Sequence, residues 1–175
     1  MHYAVTLEFD KESQQKIQEM IDEVALVTGC DYMKRAKIPP HITVCALIGE
    51  DEDALISELD AIAAGLKKNT VFFSNIGVFN PLVIYLGPMM NEFLLETCRT
   101  VNERLLKIAQ VGNKGRYRPF HWVPHAGIAV KLTPETLQTA FAIVQKKFTP
   151  FEARVERLVF ANGEPYEERK AWDLN

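Results

Sequence analysis

Apolar residues recur along this chain first at every second position and then at helical spacing, and the two periods alternate from end to end. Tyr3, Val5, Leu7 and Phe9 alternate with polar or small neighbours, so residues 2–9 predict a strand with one buried face. Asp10 follows as a helix cap, and Ile17, Met20, Ile21, Val24 and Val27 lie on one stripe of the helix it opens. Residues 41–48 predict a strand, and residues 52–66 a helix with Leu55, Leu59, Ile62 and Leu66 inward. Residues 71–79 and 82–86 read as strands joined by an Asn80-Pro81 turn. Leu94, Cys98, Val101, Leu105 and Ile108 mark a third helix, and residues 125–132 a further strand. Thr133 then caps a fourth helix, with Pro134 in its first turn and Leu137, Phe141, Val144 and Phe148 inward. A strand over 151–160 and a tail strand end the pattern, with Gly163-Glu164-Pro165 between them.

The predicted order is β-α-β-α-β, the same again, and a tail strand. Each helix is apolar on one stripe only, so each covers one face of a sheet. The fold class that follows is α/β of the α+β kind. It is a two-lobed, pseudo-symmetric repeat in which two mostly antiparallel sheets flank a central cleft and the helices lie outside. The 175 residues suit one domain, 1–175, with pseudo-repeats over 1–80 and 81–175.

Composition narrows the function classes. A net charge of −3 argues against sequence-independent grip on extended duplex DNA, which needs a basic surface. It leaves room for a small phosphorylated ligand held by local cations. Cys30, Cys45 and Cys98 are widely spaced, with no Cys-x-x-Cys pair, which predicts reduced thiols and a cytoplasmic location. The first residues lack the basic, then apolar, pattern of a secretion signal. The most apolar window, 71–90, is broken by Asn75, Asn80, Pro81, Gly87 and Pro88, so no membrane partner is expected.

Two short segments carry the chemistry. One reads Pro39-Pro40-His41-Ile42-Thr43-Val44, the other Pro124-His125-Ala126-Gly127-Ile128. Each histidine follows a proline and opens an apolar run at the second strand of its half. Residues two apart on a strand share a face, so His41 and Thr43 point one way while Ile42, Val44 and Ala46 point to the core. By the same parity His125 pairs with Gly127, where no hydroxyl exists. Two opposed imidazoles form an acid/base pair near neutral pH, and a neighbouring hydroxyl suits a phosphate oxygen.

These segments resemble the signature of the 2H phosphoesterases, a family that includes RNA 2′,5′-ligase-like proteins and cyclic nucleotide phosphodiesterases. That signature is two His-x-Thr/Ser-x units on equivalent strands of a two-lobed fold. His41-Ile42-Thr43-Val44 matches in full; His125-Ala126-Gly127-Ile128 departs at Gly127. The resemblance implies a metal-independent enzyme that needs no cofactor and acts on a 2′,3′-cyclic phosphate or related cyclic phosphodiester, with possible reversal as 2′,5′ ligation. His41 and His125 would move the protons, and Thr43 and the strand at Gly127 would hold the phosphate. The partner implied is a nucleotide or RNA terminus bearing a cyclic phosphate. The alternative is a non-catalytic nucleotide- or RNA-end-binding module of the same fold, which the missing hydroxyl favours.

Around these units lie Lys34, Arg35 and Lys37 before His41, and Lys114, Arg116 and Arg118 before His125. Arg118 is the leading candidate for a further phosphate contact and for filling the gap at Gly127. Tyr117, Phe120 and Trp122 are candidates for stacking on a base, with ordinary packing as the other reading. His121 is a candidate for the rim, and Phe72, Phe73 and Phe79 are expected in the core. No HExxH, Cys-x-x-Cys or clustered carboxylates accompany the histidines, so no metal site is expected, and no Gly-rich strand-to-helix turn marks a nucleotide-binding loop.

Overall fold

Strand β1 (His2–Phe9) buries Tyr3, Val5, Leu7 and Phe9, as its alternation requires, in a computed structural model that describes residues 1–80 and 82–175. Asp10 caps α1 (Lys11–Thr28) by accepting from the backbone N–H groups of Glu12 and Ser13, and Gly29 ends it in the left-handed region at φ 73. Ile17, Met20, Ile21 and Val24 are buried; Val27 was expected with them but is 57% exposed. Ala25 takes that place, because the buried stripe ends one turn before the helix does. A short helix that apolar spacing did not reveal, α2 (Tyr32–Arg35), turns the chain into β2 (His41–Ile48).

The first half continues with α3 (Glu52–Ala63), which stops before Leu66, and β3 (Asn69–Phe79). Leu66 still packs on the core from beyond the helix end. The Leu82 N–H donates to the Phe79 carbonyl at 2.9 Å where the Asn80-Pro81 turn was expected; Pro81 itself lies outside the described residues. The second half runs through β4 (Val83–Pro88), α4 (Glu92–Leu105), β5 (Gln110–Val111) and a 3-10 turn at Asn113–Gly115. Then come β6 (Ala126–Ala129), α5 (Pro134–Lys147), β7 (Phe151–Asn162) and β8 (Glu167–Asp173). Ile108 falls beyond α4 and is exposed, since that helix ends at Leu105. β6 is shorter than the expected 125–132, and His125 stands immediately before it.

All strand pairings are antiparallel, and the strands run β1-β2-β6-β4-β3-β7-β8. The two expected sheets are therefore halves of one continuous sheet. β7 joins them: residues 151–155 pair with β3, and residues 155–162 pair with β1. Since β1 and β7 also pair, six strands close into a ring. Helices α3 and α4 pack together beside β2 and β8, while α1 and α5 pack together beside β6 and β4. A bulge between Val5 and Thr6 of the β1–β2 register interrupts the alternation of β2, leaving Val44 as the extra residue. Cys45 and Leu47 are buried beyond it, and Ala46, expected on the core face, is only half-buried.

Candidate active site

The two histidine strands meet at one point, where Ile42 pairs with Ala126. Both of those side chains are fully buried on the far face. Extending that antiparallel register by one residue each way sets His41 opposite Gly127 and Thr43 opposite His125. Directly opposed residues of an antiparallel pair share a face, so all four motif positions turn to the same side of the sheet. That side is a cleft of about 960 Å³, lined among others by His41, Thr43, Tyr117, His125 and Gly127. The parity read from the sequence thus leads to a single 2 × 2 arrangement, because the two strands are neighbours.

Each imidazole is anchored in the same way. His41 Nδ1 lies 2.8 Å from the Pro39 carbonyl, and His125 Nδ1 lies 2.7 Å from the Val123 carbonyl. A carbonyl only accepts, so each Nδ1 carries the proton and donates, which leaves each Nε2 as the free nitrogen. The prolines supply this geometry: the residue before each histidine has no N–H to compete and a fixed φ. Burial pushes the pKa of both imidazoles below the ordinary histidine value. At His41 the carbonyl of Pro39 opposes this, and the nearness of His125 lowers it further. At His125 the Val123 carbonyl is the opposing influence. Both imidazoles are thereby held neutral at neutral pH.

His125 is boxed by aromatic rings. Phe79 meets it edge-on with ring centroids 4.9 Å apart, Tyr85 lies at 5.3 Å, and Tyr117 lies nearly parallel at 6.1 Å. Phe79 was expected in the core; it is 37% exposed and stacks on Tyr85 at 4.4 Å, forming a cleft wall instead. Phe73 is fully buried, and Phe72 is exposed. Gly77 makes the wall possible. A Cβ there would fall 2.1 Å from Tyr85 Cζ, so only glycine lets the tyrosine ring cross β3.

The structure does not bring every candidate to the cleft. Arg118 is exposed and is not among the lining residues, whereas Arg116, Asn113 and His121 are. The loop that carries them passes through the left-handed region at Asn113, Lys114 and Gly115, which redirects the side chains after it. Phe120 is 83% exposed, Trp122 is buried in the core, and neither is among the cleft's lining residues. Tyr117 does line it, but its ring is already laid against His125. Asn113, the wall role of Phe79 and the choice of Arg116 over Arg118 had no period to reveal them, because loop direction and turn dihedrals decide those positions.

Two buried thiols lie behind the site. Cys45 and Cys98 both contact Asn102 at 3.6 Å, and burial pushes each thiol up to about 12. They are therefore packing groups and not nucleophiles. Among the described residues no three His, Cys, Asp or Glu side chains gather as metal ligands would. No helix among the described residues is long and apolar enough to cross a membrane.

The model of the 2′-5′ RNA ligase superfamily matches residues 10–166 of this chain. Among solved structures, TT0787 of Thermus thermophilus superposes with a TM-score of 0.64 at 15% identity, over 99% of this chain and 98% of that one. LigT of E. coli complexed with 3′-AMP gives 0.60 at 13% identity, over 99% and 97%. LigT complexed with phosphate gives 0.57 at 13% identity, over the same shares. These are likenesses of fold. No curated protein matches the chain by sequence.

Proposed function

From the premise that this chain belongs to the 2′-5′ RNA ligase superfamily, we propose that it is a metal-independent phosphodiesterase acting on 2′,3′-cyclic phosphates at nucleotide or RNA ends. The observation that carries this reading is the matched anchoring of two imidazoles on one face, each with Nδ1 on a carbonyl and Nε2 free. One Nε2 takes a proton from the attacking water as the new P–O bond forms. The other, protonated, gives its proton to the ribose oxygen as the old P–O bond breaks. The roles reverse for ligation.

The depressed pKa values fit this division once an anion enters. A phosphate between the rings favours the charged form of whichever imidazole faces it, so binding itself takes up the proton that the acid needs. Thr43 donates to a non-bridging oxygen, and Arg116 adds positive charge at the wall. The phosphate and 3′-AMP complexes of LigT concern that protein, and they fit the same ligand class here.

The test is turnover of 2′,3′-cyclic nucleotides in excess chelator across pH. Full activity with a bell-shaped profile is expected, reporting one neutral and one protonated group. Activity lost in chelator and restored by a divalent metal would overturn it. The second reading, binding without turnover, draws support from the absent hydroxyl at Gly127. A single-turnover experiment with enzyme in excess separates the two, since a pure binder leaves the cyclic phosphate intact.

A further inference from the structure

The second motif lacks its hydroxyl at Gly127, yet the cleft holds another hydroxyl that no motif predicts. The backbone at Gly127 does not require glycine: its φ is not positive, and a Cβ would meet nothing nearer than Met33 Cε and Val130 Cγ1, both at 4.0 Å. Space is therefore open where relatives with the full signature would place a Thr or Ser. Tyr117 lies on the same cleft, its ring nearly parallel to that of His125. Thr43 and Asn113 line the same cleft, and burial raises the pKa of the Tyr117 phenol while Thr43, Arg116 and Asn113 oppose that rise. By register Thr43 stands opposite His125, and the Tyr117 ring lies against His125, so the tyrosine flanks the expected place of the phosphate.

The position of Tyr117 is braced. Asn102 on α4 is buried and donates through Nδ2 to the Tyr117 carbonyl at 3.0 Å, to the Val44 carbonyl at 3.0 Å and to the Cys98 carbonyl at 2.8 Å. Cys98 Sγ adds a weak bond to the Tyr117 carbonyl at 3.6 Å. One side chain thus ties the loop of Tyr117 to the strand of His41 and Thr43. A loop residue fixed in this way is as well placed as a strand residue.

We propose that the Tyr117 hydroxyl replaces the missing motif hydroxyl and donates to the phosphate held between His41 and His125. This rests on the reading of the cleft as a phosphate site. A hydroxyl can both donate and accept, so with an anion present the Thr43 and Tyr117 hydroxyls can each turn a proton to it. Arg118, the sequence candidate for this gap, is not among the cleft's lining residues.

The experiment compares wild type, Tyr117→Phe, Gly127→Thr and the double variant. It reads kcat and KM on 2′,3′-cyclic AMP, and the Kd of inorganic phosphate by calorimetry. Phe keeps the ring against His125 and removes only the hydroxyl. Tyr117→Phe should lower kcat on the order of 10²-fold, the usual cost of one donor to a developing oxyanion, and weaken phosphate binding. Gly127→Thr alone should gain little, while in the double variant it should restore most of the loss. Wild-type turnover with Tyr117→Phe unchanged overturns the inference and leaves the functional reading standing. Phosphate binding without turnover moves the decision to Kd: weakening in Tyr117→Phe supports the inference, and no change overturns it. Neither binding nor turnover overturns both. Should Tyr117→Phe fail to fold, a fluorinated tyrosine at 117, more acidic and nearly isosteric, serves instead. At a pH where its phenol is ionised and the wild-type phenol is not, it should weaken phosphate binding, and an unchanged Kd overturns the inference.

Discussion

At the scale of single residues, the proposed chemistry rests on two imidazoles that burial keeps neutral. The sign of the consequence is fixed. Because each folded-state pKa lies below the ordinary value, the unfolded chain binds more protons in the window just under pH 6.5. Stability from these groups is therefore complete above that window and falls as pH drops through it. His41→Gln and His125→Gln should each flatten the acid side of a Tm-against-pH curve. Added phosphate should flatten it in wild type as well, by favouring the protonated forms within the fold. The same substitutions should each abolish most turnover, and the double variant should lose far less than the product of the two, since the pair works as a unit. His41, Thr43, His125 and Gly127 were legible because a strand has a strict period of two. Which loop cation reaches the cleft, and that Asn113 lines it, were not, because left-handed residues at 113–115 set where that loop points.

Among the elements, the order of the longer strands and helices was readable, since most of them carry a one-sided apolar pattern long enough to fix the period. What escaped were pieces without room for a period: the four residues of α2, the two of β5 and the 3-10 turn. Helix ends were overrun at Leu66 and Ile108 because an apolar residue in phase with a stripe extends it on paper after the backbone has turned away, while at Val27 the helix continues but its buried stripe has ended. Caps fared better, since their chemistry is local. Thr133 accepts from the Thr136 N–H, and Thr136 Oγ1 accepts from the Thr133 N–H at 2.9 Å, closing a capping box on α5. Thr133→Ala should cost about 1 kcal/mol in urea unfolding and leave kcat unchanged. Asn102→Ala is expected to behave differently. It strips three buried or half-buried carbonyls of a donor, so it should cost about 1–3 kcal/mol and also lower kcat through the displaced Tyr117. Equal kcat in both variants would show that the brace does not reach the site.

Across the whole molecule, a row of paired positions crosses the sheet from the cleft outward. His41 on β2 stands opposite Glu8 on β1, and Glu8 opposite Arg157 on β7. Glu8 is 2% exposed, with Oε2 at 2.7 Å from Arg157 Nη1 and Oε1 without a partner. Burial raises its pKa, Arg157 lowers it and Glu168 raises it. A carboxyl with a raised folded-state pKa lends stability that is present at low pH and lost as pH climbs past the ordinary carboxylate range. Arg157→Met, which strands that carboxylate, should cost about 3–5 kcal/mol near neutral pH, and less at acid pH where Glu8 takes up a proton. A penalty independent of pH in urea titrations would refute the assignment. The continuity of the sheet was the one global feature that patterning did not disclose. A strand's alternation tells which face is inward, and it is silent on whether two neighbours claim different stretches of the same strand.

That sharing by β7 bears on whether the two repeats are separable parts. Residues 1–80 contain β1 and β3 but neither of the β7 stretches that cover them, and residues 82–175 contain β7 with no β1 or β3 to bind. Each half expressed alone would carry long unpaired edges of the kind that drive aggregation. Mixed together, the halves should instead find each other and reconstitute one particle. The doubled pattern of the chain is thus a symmetry of arrangement and not a seam along which the protein divides.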